Sequence, residues 1–380
     1  MIQDIAYSAN KDLDSALNEI YAQLSRPSGY GAIIFYASVS IYDFTLLSEK
    51  LKEHFSSATV IGTSTSGEIS SVKGFTNNSI VVCGLSDNQT KFSGVLINNV
   101  DKFPIIQKQE IENAAREAGI LLHSPGYNKD CFALTFINGL CNGEEATLAL
   151  LLSIIGDQDF QIAGGSAGDD CMFKTTYVSV NGNVATKGAA VMFVKTGRKF
   201  RIVKENIFKP SGKKLVLTDV IPETRTITSI DGKNPQDRYA EVLGIPRSEA
   251  HNASIQHPLG RVYGGHVFIS SMAAFNPDGT VTMYSRVMKN TEVEVLDPVD
   301  EITESKNTCE GVLKDIPNPG CVLLVNCVYR YLQFQQRNLF EKVTATWKNY
   351  FSKFCGFSSY GEQIGRQNSN QTLVAVVIEE

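Results

Sequence analysis

Gly164-Gly165-Ser166-Ala167-Gly168 fits G-x-S-x-G, the spacing that exposes a nucleophilic serine on a strand-to-helix turn in many hydrolases. Asp219 or Asp231, then His257 or His266, follow in the chain order such a triad takes. The plain structural reading is a glycine-serine turn after a strand. The residues that follow, CMFKTTYVSVNG, read as β rather than helix, so the elbow context is wanting. A serine hydrolase is therefore the alternative reading, not the leading one.

Other catalytic signatures are missing. No G-x-x-x-x-G-K-[ST] cradles a triphosphate, no G-x-G-x-x-G follows a strand, and no H-E-x-x-H or C-x-x-C supplies zinc ligands. Haem needs one axial ligand, commonly histidine or thiolate. His257 and His266 flank the glycine-containing segment 259–265 and are the imidazoles best placed for a metal. His54 and His123 sit at polar ends of helical segments, and His251 reads as exposed loop. There is no C-x-x-C-H, so any haem is a non-covalent haem b. A lone histidine is more often structural.

Small-ligand binding has a direct physical route. In parallel α/β sheets, ligands sit beyond the carboxyl ends of strands, where helix N-termini and loops present free N–H groups. Ser38, Asn138, Cys141, Asn326, Cys327 and Arg330 occupy such corners, and Ser64, Ser166 and Ser358 lie in loops at other strand ends. Arg330 could clamp a carboxylate. Glu68, Asp169, Asp170 and Glu362 could hold an ammonium group. Each residue, taken alone, could equally cap a helix or satisfy a loop backbone.

The elements that would position these residues form an internal repeat. Three apolar runs of strand length, AIIFYA at 32–37, CFALTFI at 131–137 and CVLLV at 321–325, are each followed by a helical pattern. In the first, Phe44, Leu47, Leu51 and Phe55 fall on one helical face. A second short strand and a glycine-serine loop then follow: GTSTSGE at 62–68, GGSAGD at 164–169 and GFSSYGE at 356–362. Each closes on Gly-Glu or Gly-Asp and leads into another β-rich segment. The spacing suits βαβ units.

The expected fold is thus α/β, with two domains of repeated βαβ-type units and mixed sheets. The 380-residue length exceeds one ordinary core. A basic run from Lys195 to Lys214 leaves the strand-helix rhythm, which places the domain boundary there, at 1–200 and 201–380. Arg198, Lys199 and Lys204 make this run a candidate docking surface for an acidic partner, a solvated linker being the equal alternative. In the second domain, N-P-D-G at 276–279 predicts a turn between two strands.

A net charge of −5 gives no global field for nucleic acid or anionic lipid. The N-terminus lacks the basic and apolar regions of a signal peptide, and no window is apolar enough to span a bilayer. A cytoplasmic protein without membrane insertion is expected. The eight cysteines are then reduced thiols, mostly buried.

GTSTSGEI at 62–69 and AGGSAGDD at 163–170 resemble the hallmark loops of the FIST N domain. HPLG at 257–260, NCVYR at 326–330, GFSSYGE at 356–362 and NQT at 370–372 resemble the FIST C domain. The resemblance runs from about Ala32 to Ile378. It implies a bacterial sensory protein in signal transduction, not an enzyme, that binds a small ligand. Implied ligands are a small polar metabolite, or haem through which nitric oxide is sensed. The implied partner is a histidine kinase of a two-component system or a cyclic-dinucleotide signalling enzyme. No kinase, receiver or output motif is present, so the chain resembles the stand-alone members.

Overall fold

The computed structural model describes residues 1–26, 29–263 and 266–380, and the side chain of His266 is also outside the described residues. The first repeat runs β1 (Ile2–Ser8), α1 (Leu13–Gln23), β2 (Ala32–Ala37), α2 (Phe44–His54), β3 (Thr59–Ser64), β4 (Glu68–Ser70), β5 (Gly74–Thr76) and β6 (Ile80–Ser86). The second repeats this order as β7 (Thr90–Asn98), α3 (Lys108–Ala118), β8 (Cys131–Asn138), α4 (Glu144–Ile155), β9 (Gln161–Ala167), β10 (Val178–Val180), β11 (Asn183–Ala185) and β12 (Gly188–Thr196). The third begins at β13 (Phe200–Asn206).

The chain then departs through β14 (Phe208–Ile221), β15 (Thr226–Ile230), α5 (Pro235–Leu243), α6 (Ala250–Gln256), β16 (Leu259–Tyr263), β17 (His266–Ser270), β18 (Met272–Phe275), β19 (Val281–Met283) and β20 (Thr291–Pro298). It resumes the third repeat with α7 (Glu301–Asp315), β21 (Pro319–Cys327), α8 (Val328–Gln336), α9 (Phe340–Tyr350), β22 (Cys355–Ser359), β23 (Glu362–Ile364), β24 (Gln367–Ser369) and β25 (Thr372–Glu379).

Local chemistry accounts for the elements. Asp43 caps α2 by accepting from the amides of Thr45 and Leu46, each at 3.0 Å, and the helix buries Phe44, Leu47 and Leu51. The apolar runs at β2 and β8 are buried along their whole length, as strands flanked on both faces must be. No helix among the described residues is long and apolar enough to cross a membrane.

The expected α/β fold with mixed sheets is what forms. Within each repeat the second and third strands pair in parallel: β2 with β3, β8 with β9, β21 with β22. The remaining partners are antiparallel. The three sheets are ordered β1-β6-β2-β3-β10-β11, β7-β12-β8-β9-β23-β24 and β13-β25-β21-β22-β4-β5. Each repeat therefore gives its short hairpin to another: the first to the third, the third to the second, the second to the first. One core serves all three sheets, with Tyr36, Phe136 and Phe357, one from each repeat, in mutual ring contact at 5.3–5.9 Å.

The compact units do not part at one point, as the expected cut at 200–201 would have it. Unit 1 is Met1–Glu205, Ser305–Asn368 and Leu373–Glu380; unit 2 is Asn206–Glu304 and Ser369–Thr372. The reason is the ladder of β13 and β25 with β21, which draws the end of the chain into the third sheet of unit 1. Unit 2 is an antiparallel sheet ordered β17-β16-β20-β14-β15-β19-β18, with α5 and α6. The N-P-D-G turn joins β18 to β19, and Gly279 takes the positive φ of 88° that the turn needs.

Candidate functional site

The three glycine-serine loops of unit 1 meet in a closed backbone ring. The amide of Gly168 donates to Ser64 O, that of Ser66 to Ser358 O, and that of Tyr360 to Ser166 O, each at 3.0 Å. Ser358 N reaches Gly67 O and Ser166 N reaches Gly361 O, both at 2.7 Å. This ring is the seam along which the hairpins cross from repeat to repeat. The leading glycine of two loops is required by the parallel neighbour strand: a Cβ on Gly164 would stand 1.9 Å from Thr135 O on β8, and one on Gly356 1.7 Å from Leu324 O on β21.

Ser64, Ser166 and Ser358 are fully buried in this seam. Ser64 Oγ donates to Gly168 O at 2.6 Å and accepts from Tyr177 N at 2.8 Å. Ser166 Oγ donates to Glu144 at 3.2 Å and accepts from Gln363 at 3.0 Å. Ser358 Oγ has no partner. Ser166 lies inside β9 and the next element is β10, so the strand-to-helix elbow of a serine hydrolase is not formed. Glu362 accepts from Ser359 Oγ at 2.6 Å. Glu68 accepts from Thr65 and, at 2.6 Å, from Ser79, and its burial pushes its pKa up to about 8.

Sheet register corrects two apparent equivalences. The strand pairs place Cys327, not Asn326, at the corner equivalent to Ser38 and Asn138. The hairpin registers make Val178, not Asp169, the residue equivalent to Glu68 and Glu362, since the three pair with Thr63, Phe357 and Gly165 at the same position of their receiving strands. Residues 168–177 are thus an excursion peculiar to the second repeat. Two buried or half-buried carboxylates organise it. Asp169 accepts from the amides of Phe173, Lys174 and Thr175 at 2.6–2.9 Å. Asp170, at φ 55°, accepts from Ser38 Oγ at 2.8 Å, from Ser40 N at 2.9 Å and from Ser40 Oγ, so it plugs the corner after β2.

The far end of the excursion walls a cavity of about 370 Å³ at the carboxyl end of β8. Its floor is the corner Asn138, Leu140, Cys141 and Asn142; one wall is Lys174, Thr175 and Thr176, and the other Thr186, Lys187 and Asp101. Asn138 ties the two walls, donating to Thr176 O at 2.9 Å and Thr186 O at 2.5 Å while accepting from Leu140 N at 3.1 Å. Cys141 Sγ donates to Asn138 O at 3.4 Å. Lys187 pairs with Asp101 at 3.7 Å. Thr176 is fully buried, and its hydroxyl has no partner.

Of the sequence-expected ligand residues, Asn138 and Cys141 line this cavity; the others lie in the seam, at the plugged corner or at α8. The residues that sequence reasoning missed are Asp101, Lys174, Thr175, Thr176, Thr186 and Lys187. For all of these but Asp101, the signal was the pair of mirrored tracts, Lys174-Thr175-Thr176 and Thr186-Lys187, on either side of the β10–β11 hairpin.

Arg330 was expected to clamp an external carboxylate. It is wholly buried, and its partner is internal: it pairs with Glu205, donates to Asn326 Oδ1 at 2.9 Å and lies over the ring of Phe334. Cys327 is buried at the start of α8. Part of the basic run is paired within the chain: Arg198 with Asp87 at 3.0 Å, Arg201 with Asp315, and Lys214 with Glu292 at 2.9 Å. Burial lowers the pKa of Lys204. The run belongs to β13 and β14 rather than to a solvated linker.

In unit 2, His257 ends α6 with Nδ1 3.2 Å from both Leu296 O and Asp297 Oδ1. A metal-bound imidazole is commonly held in this way through its other nitrogen. The expected ligand role of His266 falls outside the described residues. Among the described residues no group of three or more His, Cys, Asp or Glu side chains is arranged to hold a metal ion.

The chain matches the family models for the FIST N domain over residues 31–233 and the FIST C domain over residues 235–365. It belongs to the FIST family, whose domains are small-ligand sensory modules of signalling proteins. Comparison with curated proteins gives no match. Among solved structures, a cyanuric acid hydrolase from A. caulinodans aligns over 100% of this chain and 99% of that chain, at 8% identity and a TM-score of 0.40. A likeness that low carries no argument about activity.

Proposed function

We propose that this chain is a cytoplasmic, non-enzymatic sensor that binds a small polar metabolite in the cavity after β8 and regulates a signalling partner. The observation that carries the reading is the cavity itself, about 370 Å³ at the carboxyl end of β8 and walled by polar residues that include Asn138, Lys174, Thr175 and Lys187. The position agrees with the rule that ligands of parallel sheets bind beyond the strands' carboxyl ends. The walls are preorganised by Asn138 and Asp169, which lowers the entropic cost of binding.

Output follows if the ligand prefers one arrangement of the 168–177 excursion, since a ligand binding all conformations equally shifts none of them. A histidine kinase or a cyclic-dinucleotide enzyme is the partner proposed from the family. Thermal-shift measurements with a metabolite library test the reading, because a native-state ligand raises the melting temperature by mass action. Stabilisation by a compound, lost in Lys174→Glu, supports it. A library without a hit, together with robust turnover of any substrate by the isolated protein, overturns it.

A second reading, haem binding with nitric oxide as the signal, rests on His257, whose Nδ1 contacts would leave Nε2 for iron. Expression with added haem, followed by an absorption spectrum of wild type and His257→Ala, decides it. A stoichiometric Soret band that survives the substitution would remove His257 as the ligand.

A further inference from the structure

We infer that two copies of this chain meet through the face made by the turn Pro104–Gln107 and the outer side of α4. The inference goes beyond the sensing reading and stands without it. It starts from a contrast between repeats. α2, α4 and α9 each lead into the second strand of a parallel pair. α2 turns Glu49 and Glu53 to solvent, and α9 turns Glu341, Lys342 and Lys348. α4 has no charged residue from Ala146 to Ile155. Its outer side is Ala146, Ala149 and Ser153, with Leu150 half-buried between them. A helix without a charged face is one that is covered on every side. The neighbouring turn adds larger groups. It packs on α4, and a Cβ added at Gly143, the residue before that helix, would stand 2.5 Å from Val100 Cγ2. Phe103, Ile105 and Ile106 expose 67%, 54% and 77% of their surface. That is on the order of 400 Å² of apolar surface, the size that marks a contact site on a soluble protein.

Charge, shape and area select a second copy as the occupant. The charges that flank the turn and run along α3 are Asp101, Glu110 and Glu112 against Lys102, Lys108 and Arg116. Lys108 and Arg116 share Glu112, at 3.6 and 2.9 Å. A rim of balanced charge selects neither an acidic nor a basic partner, and it does not repel its own copy. The face also carries both halves of a contact, a ridge of large side chains and beside it a shallow strip of small ones. A two-fold axis lays the ridge of each copy on the strip of the other, as an isologous interface requires. A stable dimer buries roughly 800 Å² per partner, with a dry apolar core inside a polar rim. The turn and α4 supply that core, and the paired charges of α3 supply the rim.

The test is sedimentation velocity of the full chain over a dilution series. Wild type, Ile106→Glu and Ala149→Arg are compared, with Val72→Glu as the control at an exposed apolar residue outside the face, each checked by circular dichroism for its fold. Wild type and Val72→Glu should sediment at twice the 41.6 kDa of one chain. Ile106→Glu and Ala149→Arg should each weaken association at least about tenfold, because each puts a charge into the desolvated centre of the contact. A wild type that stays at 41.6 kDa throughout, or a dimer that either substitution in the face leaves intact, overturns the inference. So does a monomer that floats with phosphatidylcholine vesicles and loses this in Ile106→Glu, which would give the face to a bilayer. The thermal-shift library reads the sensing cavity separately, so failure of one reading leaves the other standing.

Discussion

The hydroxyl of Tyr360 donates to the carboxylate of Asp169 at 2.5 Å, across 191 positions of sequence. Phe173 stacks on the same tyrosine ring at 4.8 Å. The loop of the third repeat thus anchors the excursion that walls the cavity in the second. Burial, then the neighbouring carboxylate, raises the phenol pKa, so Tyr360 stays a donor.

Tyr360→Phe keeps the stack and removes the donor. Hydrogen bonds to charged groups are worth about 1.5–3 kcal/mol, and three backbone amides still hold Asp169, so the global loss should fall at or below the lower end. The local effect should be larger. Amide exchange at Phe173, Lys174 and Thr175 should accelerate, and the half-buried thiol of Cys171 should alkylate faster. Exchange unchanged at these amides would show that the excursion is held elsewhere.

Glu68 gives a pH dependence with a definite sign. Its native pKa is raised from 4.5 to about 8 by burial, so between those values the native state keeps a proton that the unfolded chain has released. Stability from this group is fully present below the unfolded value, falls as pH rises, and levels off above about 8. Glu68→Gln should flatten that slope in urea unfolding followed between about pH 5 and pH 8. A slope identical to that of wild type would assign the dependence to another group.

Arg330 and Glu205 should be coupled. Removing one partner of a buried ion pair costs about 3–5 kcal/mol, because the other charge is left buried. Arg330→Met should therefore be severely destabilising, and the double change with Glu205→Gln much less so. An additive double-mutant cycle would mean that the pair carries no coupling. A stability-neutral Arg330→Met would revive the arginine as a clamp for an external acid.

Ser166 should not behave as a nucleophile. It is fully buried and bonded to Glu144 and Gln363, so a fluorophosphonate probe should leave the native protein unlabelled. Labelling of native protein that disappears in Ser166→Ala would promote the hydrolase reading.

Much of unit 1 could be read from local pattern. The runs at 32–37, 131–137 and 321–325 are the buried strands β2, β8 and β21, because an unbroken apolar run bounded by turn residues has few other places to go. The helix at Phe44, Leu47 and Leu51 follows from its spacing and the cap at Asp43. What pattern could not give was pairing between distant segments. Nothing local to Glu68–Thr76 says that this hairpin completes the sheet of the third repeat, nor that β13 pairs with β25 across the whole of unit 2. The site suffered in the same way. The serines and carboxylates were recognised as unusual, but their burial in a seam is a property of three loops together. Lys174 and Thr176 drew no notice because their place in the cavity wall is set by Asp169, which accepts from the Lys174 amide, and by Asn138 on another strand, which donates to Thr176 O.

The exchange of hairpins has a consequence for how the molecule can fail. In a linear array, a terminal module can fray without disturbing its neighbours. In a cycle there is no terminal module. Opening any one repeat strips a hairpin from one neighbour and exposes the strand edge that had received another, so partial unfolding releases adhesive edges at once. Such a ring should lose its structure in a single step, and its assembly must await segments far apart in sequence, which slows folding. The excursion at 168–177, between a strand and its hairpin, is drawn into the same dependence, since it bonds the first repeat through Gly168 and Asp170 and the third through Asp169. Opening it would therefore disturb three repeats at once, not one.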